Sequence, residues 1–311
     1  MFNAMFVAVG ALLFGALHLA GSEYLWFASY TVLQYVVLAV AWNILGGYAG
    51  YVNFGTAGLF GAGCYVAVLL LKLGVGNLAI LIGCAAIVSG VLGMLIGYLT
   101  LRVKGAYFSI ATLALVVLLE TLITNWDYIG GARGALVVRP DLTTGFLSSY
   151  TEYLFMAMLL MAIAAVWLGR FIEESRAGAG LKALKDDELA AEAAGIPTLK
   201  LKLWAAVVSG ALMGAAGAPA AYFLTFVEPS SLFGLTMSAN TMAMVLIGGI
   251  GTWVGPVLGA IFVAVIQQIA VVTISSSFHL LLVAILMIVF LVAAPNGLAG
   301  IRKQLRKARH D

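Results

Sequence analysis

Apolar positions in this chain come in continuous stretches, not in the alternating or periodic faces of a soluble fold. Ten stretches stand out, near residues 2–20, 27–45, 56–71, 78–100, 106–125, 152–169, 203–222, 238–249, 257–273 and 279–294. A bilayer core takes about 20 apolar residues per helix at ~1.5 Å rise each, so most of these stretches predict spanning helices. Two of them, 56–71 and 238–249, are short for a crossing, and each adjoins a glycine cluster: Gly46-Gly47-Tyr48-Ala49-Gly50 and the segment Gly248–Pro256. Broken or re-entrant helices fit both places. The expectation is an all-α, polytopic membrane helix bundle of about 8–10 transmembrane helices with glycine-interrupted segments. Residues 1–20 have no basic start and no small-residue cleavage site, which favours a first membrane helix over a signal peptide. Paired glycine-interrupted segments in two halves of a transporter point to a central pathway; two unrelated tight helix packings are the alternative.

Composition supports the same class. Of 311 residues, 63% are hydrophobic and 9% charged, against roughly 25% charged in soluble domains. The 36 glycines suit helices that approach closely in a membrane. Cys64 and Cys84 both lie in apolar stretches and read as buried free thiols. His18, His279 and His310 show no metal-ligand spacing, and no cofactor is expected.

Charge is concentrated in one island, Arg170 to Lys202, which holds twelve of the 29 Lys, Arg, Asp and Glu residues. If the island and the basic tail 301–311 are cytoplasmic and all ten stretches cross, thirteen Lys and Arg lie inside and only Lys72, Arg133 and Arg139 outside. That is the bias of the positive-inside rule. Trp26, Trp42, Trp126, Trp167 and Trp204 each fall near a predicted helix end, where interfacial aromatic belts form.

Within the island, Ala179–Ala194 predicts one short amphipathic helix of strong helix formers. Gly195 supplies a left-handed cap and Pro197 forbids continuation. A stripe of Leu181, Leu184 and Leu189 beside Asp186, Asp187 and Glu188 could lodge in another protein. A solvated connector is the simpler alternative. Polar side chains inside the stretches are costly, so they mark helix partners or a cavity. Among them, Asn43, Asn53 and Thr56 flank the first glycine cluster. Glu120 is the one acidic residue well inside a stretch; it lines a pathway or snorkels to the interface near Trp126. The chain has no Gly-x-x-x-x-Gly-Lys-[Ser/Thr] phosphate loop and no catalytic constellation, so ATP chemistry would reside on a separate polypeptide.

Leu181-Lys182-Ala183-Leu184-Lys185-Asp186-Asp187-Glu188-Leu189-Ala190-Ala191-Glu192-Ala193-Ala194-Gly195-Ile196 resembles the cytoplasmic loop of branched-chain amino acid ABC importer permeases, LivM-type subunits above all. The segments Trp42–Gly55, Arg102–Leu113, Gly130–Gly134 and Gly248–Pro256 are similar to that family in the same order. The resemblance implies a single transmembrane permease domain over 1–311, containing a coupling loop at 170–202. It implies a bacterial inner-membrane location, a second related permease, two ATPase subunits and an extracytoplasmic binding protein. Membrane lipid surrounds such a subunit, and no nucleic-acid partner is expected. It further implies that ATPase coupling falls to Leu184, Asp186, Asp187, Glu188, Ala190, Ala191, Glu192 and Gly195. The family's Glu-Ala-Ala…Gly pattern is interrupted here by Leu189, which leaves Glu188 and Glu192 as alternative key acids. Pathway candidates are Asn43, Gly46, Gly47, Asn53, Thr56, Glu120, Gly248 and Gly249. A related permease for urea, short amides or another small solute, and an ion-coupled transporter, are the alternatives.

Overall fold

The computed structural model describes residues 22–100, 106–140 and 149–273, with a few isolated positions near both ends. Among them, seven helical segments are long and apolar enough to cross a membrane, and an eighth apolar helix is shorter. In chain order the helices are α1 Glu23–Trp42, α2 Thr56–Lys72, α3 Leu78–Thr100, α4 Ala106–Thr124 and α5 Tyr150–Glu174. Then follow α6 Arg176–Asp186, α7 Glu188–Ala193, α8 Thr198–Leu224, α9 Pro229–Leu232, α10 Leu235–Gly248 and α11 Val254–Thr273. The stretches at 2–20 and 279–294 and the basic tail lie outside the described residues.

The protein is an all-α membrane bundle, and both glycine clusters interrupt its helices. The first changes the winding of α1, which runs on into a π-helical turn at Asn43–Tyr48. The short second stretch, 238–249, gains length from α9, and together α9 and α10 make a 20-residue span broken near Gly234. Helix α2 stays short at 17 residues.

Helix α8 is the centre of the bundle. It packs most extensively on α3 and α2, and also on α1. Its face toward α3 is built of small residues, with Gly210 so close to α3 that a Cβ there would stand 2.6 Å from the Ser89 carbonyl oxygen. Packing of this kind replaces the hydrophobic drive that helices lack inside lipid. Ser209 Oγ donates to the Ala41 carbonyl of α1 (2.7 Å), and Ser89 Oγ donates to the Leu59 carbonyl of α2 (3.0 Å). Large apolar side chains such as Ile87, Leu99, Tyr107 and Ile110 point outward from α3 and α4, as expected where lipid is the solvent.

The tryptophans divide. Trp126, Trp167 and Trp204 are exposed near helix ends, in keeping with a belt, but Trp26 and Trp42 are buried. Trp42 does structural work instead: its Nε1 donates to the Asn53 carbonyl at 2.7 Å and fixes the chain that re-enters as α2. At the end of the bundle far from the charged island, a two-stranded ribbon pairs β1 Ala135–Leu136 with β2 Phe226–Val227 in antiparallel register. Arg139 there donates to the Tyr222 and Phe223 carbonyls (2.8 and 2.9 Å) at the C-terminus of α8. A cation at that position answers the negative end of the helix dipole.

Candidate functional site

The charged island folds as two helices, not the single Ala179–Ala194 helix that its composition predicts. Helix α6 ends at Asp186, and Asp187 takes an extended conformation. Its Oδ1 then accepts from Leu189 N (2.9 Å) and Ala190 N (3.1 Å), so Asp187 caps α7. A carboxylate there satisfies two amides that the helix start leaves open. The other end matches the expectation. Gly195 has φ +81°; its N–H reaches the Glu192 carbonyl (2.9 Å), and Ile196 N reaches the Ala191 carbonyl (3.0 Å). This pair of bonds is a Schellman stop.

The leucine stripe is also divided. Leu181 and Leu184 are buried within the chain, whereas Leu189 is 71% exposed. Only Leu189 is therefore offered outward, beside exposed Asp186, Asp187, Ala190 and Glu192. Ala191 faces inward. The two glutamates make bonds within the chain. Glu188 forms a salt bridge with Lys202, which is 3% exposed, and accepts from Tyr51 Oη at 3.4 Å. Lys202 Nζ also lies 4.9 Å from the centre of the Tyr51 ring. Glu192 accepts from Thr198 Oγ1 at 2.6 Å.

The two glycine clusters, about 200 residues apart in sequence, touch each other beside this island. Asn43 Oδ1 accepts from Gly251 N, and Asn43 Nδ2 donates to the Thr252 carbonyl, both at 3.1 Å. The approach is close: a Cβ on Gly47 would stand 3.2 Å from the Gly251 backbone N across the contact, and within the second cluster one on Gly248 would fall 1.9 Å from the Gly255 carbonyl oxygen. Lys185 of α6 donates to the Gly47 carbonyl at 3.1 Å. A cavity of about 780 Å³ opens alongside, lined by Tyr51, Phe54, Ser109, Lys185, Asp187 and Met242 among others.

Of the sequence-derived pathway residues, Asn43 and Gly47 stand at this contact, Gly46 lies in the same π-helical turn, and Gly248 and Gly249 lie where α10 ends, just before Gly251. Asn53 and Thr56 stand at the start of α2. Asn53 Oδ1 accepts from Gly55 N (2.7 Å), and Thr56 is fully buried with its hydroxyl unpaired among the described residues. Glu120 is not brought to this group. It is half-buried on α4, which packs chiefly on α2 and α3. Thr121 and Asn125 bond back to their own helix, at Val117 and Thr121.

Sequence reasoning passed over Glu173, Tyr48, Tyr51 and Lys202, which hold these parts together. Both tyrosines lie inside the glycine-rich motif, and an apolar run ending in two acids was the available signal for Glu173. That carboxylate accepts from the Trp253 backbone N–H (2.6 Å) and Tyr48 Oη (3.3 Å), and pairs with Lys182 Nζ (3.3 Å).

A bundle of spanning helices in which the π-helical turn after α1 meets the loop after α10, with a polar helix pair seated against that meeting point, fits a multi-pass membrane transport protein. The chain belongs to the family described as branched-chain amino acid transport system / permease component, whose model matches residues 24–291. It is 26% identical to the high-affinity branched-chain amino acid transport system permease protein LivM of Salmonella typhimurium, over 88% of this chain and 69% of that one. It is 24% identical to the LivH permease protein of the same organism, over 86% of this chain and 91% of that one. The autoinducer 2 import system permease protein LsrC of Yersinia pseudotuberculosis is 28% identical over 60% of this chain and 53% of its own. No solved structure matches the chain. The family is one of transport components.

Proposed function

We propose that this chain is one of two related permeases in a bacterial inner-membrane importer for branched-chain amino acids. The whole described bundle acts as one transmembrane unit. Two separate ATPase subunits drive it, and an extracytoplasmic binding protein delivers the solute. The observation that carries this reading is the α6–α7 pair: a preformed polar element between two spanning helices, packed on the glycine clusters inside and exposing Leu189, Asp186, Asp187, Ala190 and Glu192 outside. Charge placement supports a cytoplasmic position for it.

In this reading the exposed face of α7 is the ATPase landing surface, with Leu189 as its apolar anchor. Glu188 acts inward, holding α7 to Lys202 and Tyr51, and Gly195 sets where α7 ends. The Asn43–Gly251 contact closes the pathway at the cytoplasmic end, and alternating access opens it.

The direct test is reconstitution with partner permease, ATPases and binding protein in liposomes, reading leucine uptake and ATP hydrolysis with loaded and empty binding protein. Leucine uptake that requires all components supports the proposal; uptake by the isolated chain refutes ATP drive. The likeness to LsrC makes transport of a different small solute the outcome that would revise the substrate. Leu189→Asp should lower binding-protein-stimulated hydrolysis by roughly tenfold, the loss of one buried apolar anchor.

A further inference from the structure

Glu173 occupies an unusual position. It lies in the last turn of α5 with its side chain 20% exposed, and its donors come from three different parts of the chain. Tyr48 closes the π-helical turn of the first glycine cluster. The Trp253 N–H belongs to the second cluster, one residue before α11 begins. Lys182 stands on α6, the polar helix of the island. The single Tyr48 hydroxyl proton is shared between Glu173 and the Gly169 carbonyl one turn earlier on α5 (3.2 Å), and Lys182 Nζ lies 5.7 Å from the centre of the Tyr48 ring. The Arg170 guanidinium sits 6.0 Å from the centre of the Trp253 ring. A single carboxylate therefore joins the island to both halves of the glycine contact.

Its neighbours give that junction a direction. Trp253 follows Gly251 and Thr252, the two residues that Asn43 holds. Gly249 and Gly251 both have positive φ (+113° and +79°), so this short loop is built from residues that can change conformation at little steric cost. A displacement of α6 reaches the loop through Lys182 and Glu173 by charge-assisted hydrogen bonds, which are stronger and more directional than apolar packing. Lys185 on the same helix donates to the first cluster, at the Gly47 carbonyl, and its Nζ lies beside Gly251 of the second, where a Cβ would stand 3.9 Å from it. Among the described residues, Glu173 is the side chain bonded to α6 and to both clusters.

We infer that Glu173 is a positioning residue that links movement of the α6–α7 pair to opening of the contact between the glycine clusters. The inference rests on the proposed coupling role of that pair. Removing the charge leaves both ends intact and disconnects them, so ATP is hydrolysed without solute moving.

The experiment uses the complete importer in liposomes with loaded binding protein and radiolabelled leucine, and reads solute moved per ATP hydrolysed. Glu173→Gln keeps the shape and an acceptor for the Trp253 N–H but loses the pairing with Lys182. The ratio is expected to fall roughly tenfold with hydrolysis within about twofold of the unsubstituted complex. Lys182→Met, at a half-exposed side chain, should give the same fall, and the double variant no further fall. An unchanged ratio in both single variants overturns the inference, as do independent, multiplying effects in the double variant. A proportional loss of transport and hydrolysis with less assembled complex also overturns it, because a purely structural carboxylate would behave that way. Leu189→Asp, run alongside, separates the levels. If it lowers hydrolysis while Glu173→Gln leaves the ratio intact, only the Glu173 link is lost. If Leu189→Asp has no effect, the coupling surface and the inference fall together.

Discussion

The pairing of Lys202 with Glu188 shows how strongly one residue can set the geometry of the α6–α7 pair. Lys202 opens the spanning course of α8 and is 3% exposed; its charge is tolerable there because Glu188 and the Tyr51 ring face it. Removing one member of such a pair strands the other and costs about 3–5 kcal/mol, whereas replacing both with apolar groups of similar size is often neutral. Lys202→Met should therefore lower the stability of the detergent-solubilised protein by about 3 kcal/mol. Adding Glu188→Leu should restore most of the loss, as thermal unfolding would show. Asn43 belongs to the same scale. Asn43→Ala leaves the Gly251 N–H and the Thr252 carbonyl without their shared partner, at a cost of about 1–3 kcal/mol. Faster hydrogen exchange at the Gly251 amide and slower leucine uptake are the expected readouts.

At the scale of the element, the α6–α7 break separates what local sequence reveals from what it hides. The stop at Gly195 was legible, because a left-handed cap followed by Pro197 is decided within a few residues. The break at Asp187 was not. Ala183 to Ala194 is rich in good helix formers, so propensity favours one continuous helix. Asp187 is a strong N-cap residue that can equally sit inside a helix. What decides is the burial of Leu181 and Leu184 of α6 in a cluster with Tyr48, Ile172 and Ala205, which propensity cannot register. Because a Cβ at position 195 would meet nothing within 4 Å, a substitution there acts through the backbone alone. Gly195→Val should cost about 1–2 kcal/mol for the left-handed conformation. It should displace the end of α7, seen as a fall in solute moved per ATP hydrolysed while the complex still assembles.

At the scale of the whole molecule, hydropathy marked the spanning helices well, since bilayer thickness imposes their length directly. It could not show that the two glycine clusters bind each other, because Asn43 and Gly251 stand 208 positions apart and no local rule couples them. For the same reason Glu173 reads in the sequence as any acid ending an apolar run, whereas Glu120 stands out as an acid well inside one. The charged island was visible in the sequence as a polar break between apolar stretches. Its bonds to Tyr51 and Gly47, and the Glu188–Lys202 pair within it, were not.

Those inward bonds have a consequence for how a partner is met. A loop that must order itself when a partner arrives loses entropy in doing so, about 0.5–1.5 kcal/mol for each flexible side chain immobilised. Here Leu181, Leu184, Glu188 and Lys202 already fix the helix pair within the chain, so the exposed face is rigid before docking. On the proposed coupling role, affinity for the ATPase then depends on a small outward set centred on Leu189, and that set can change to suit a different partner while the internal linkage to the membrane helices is kept.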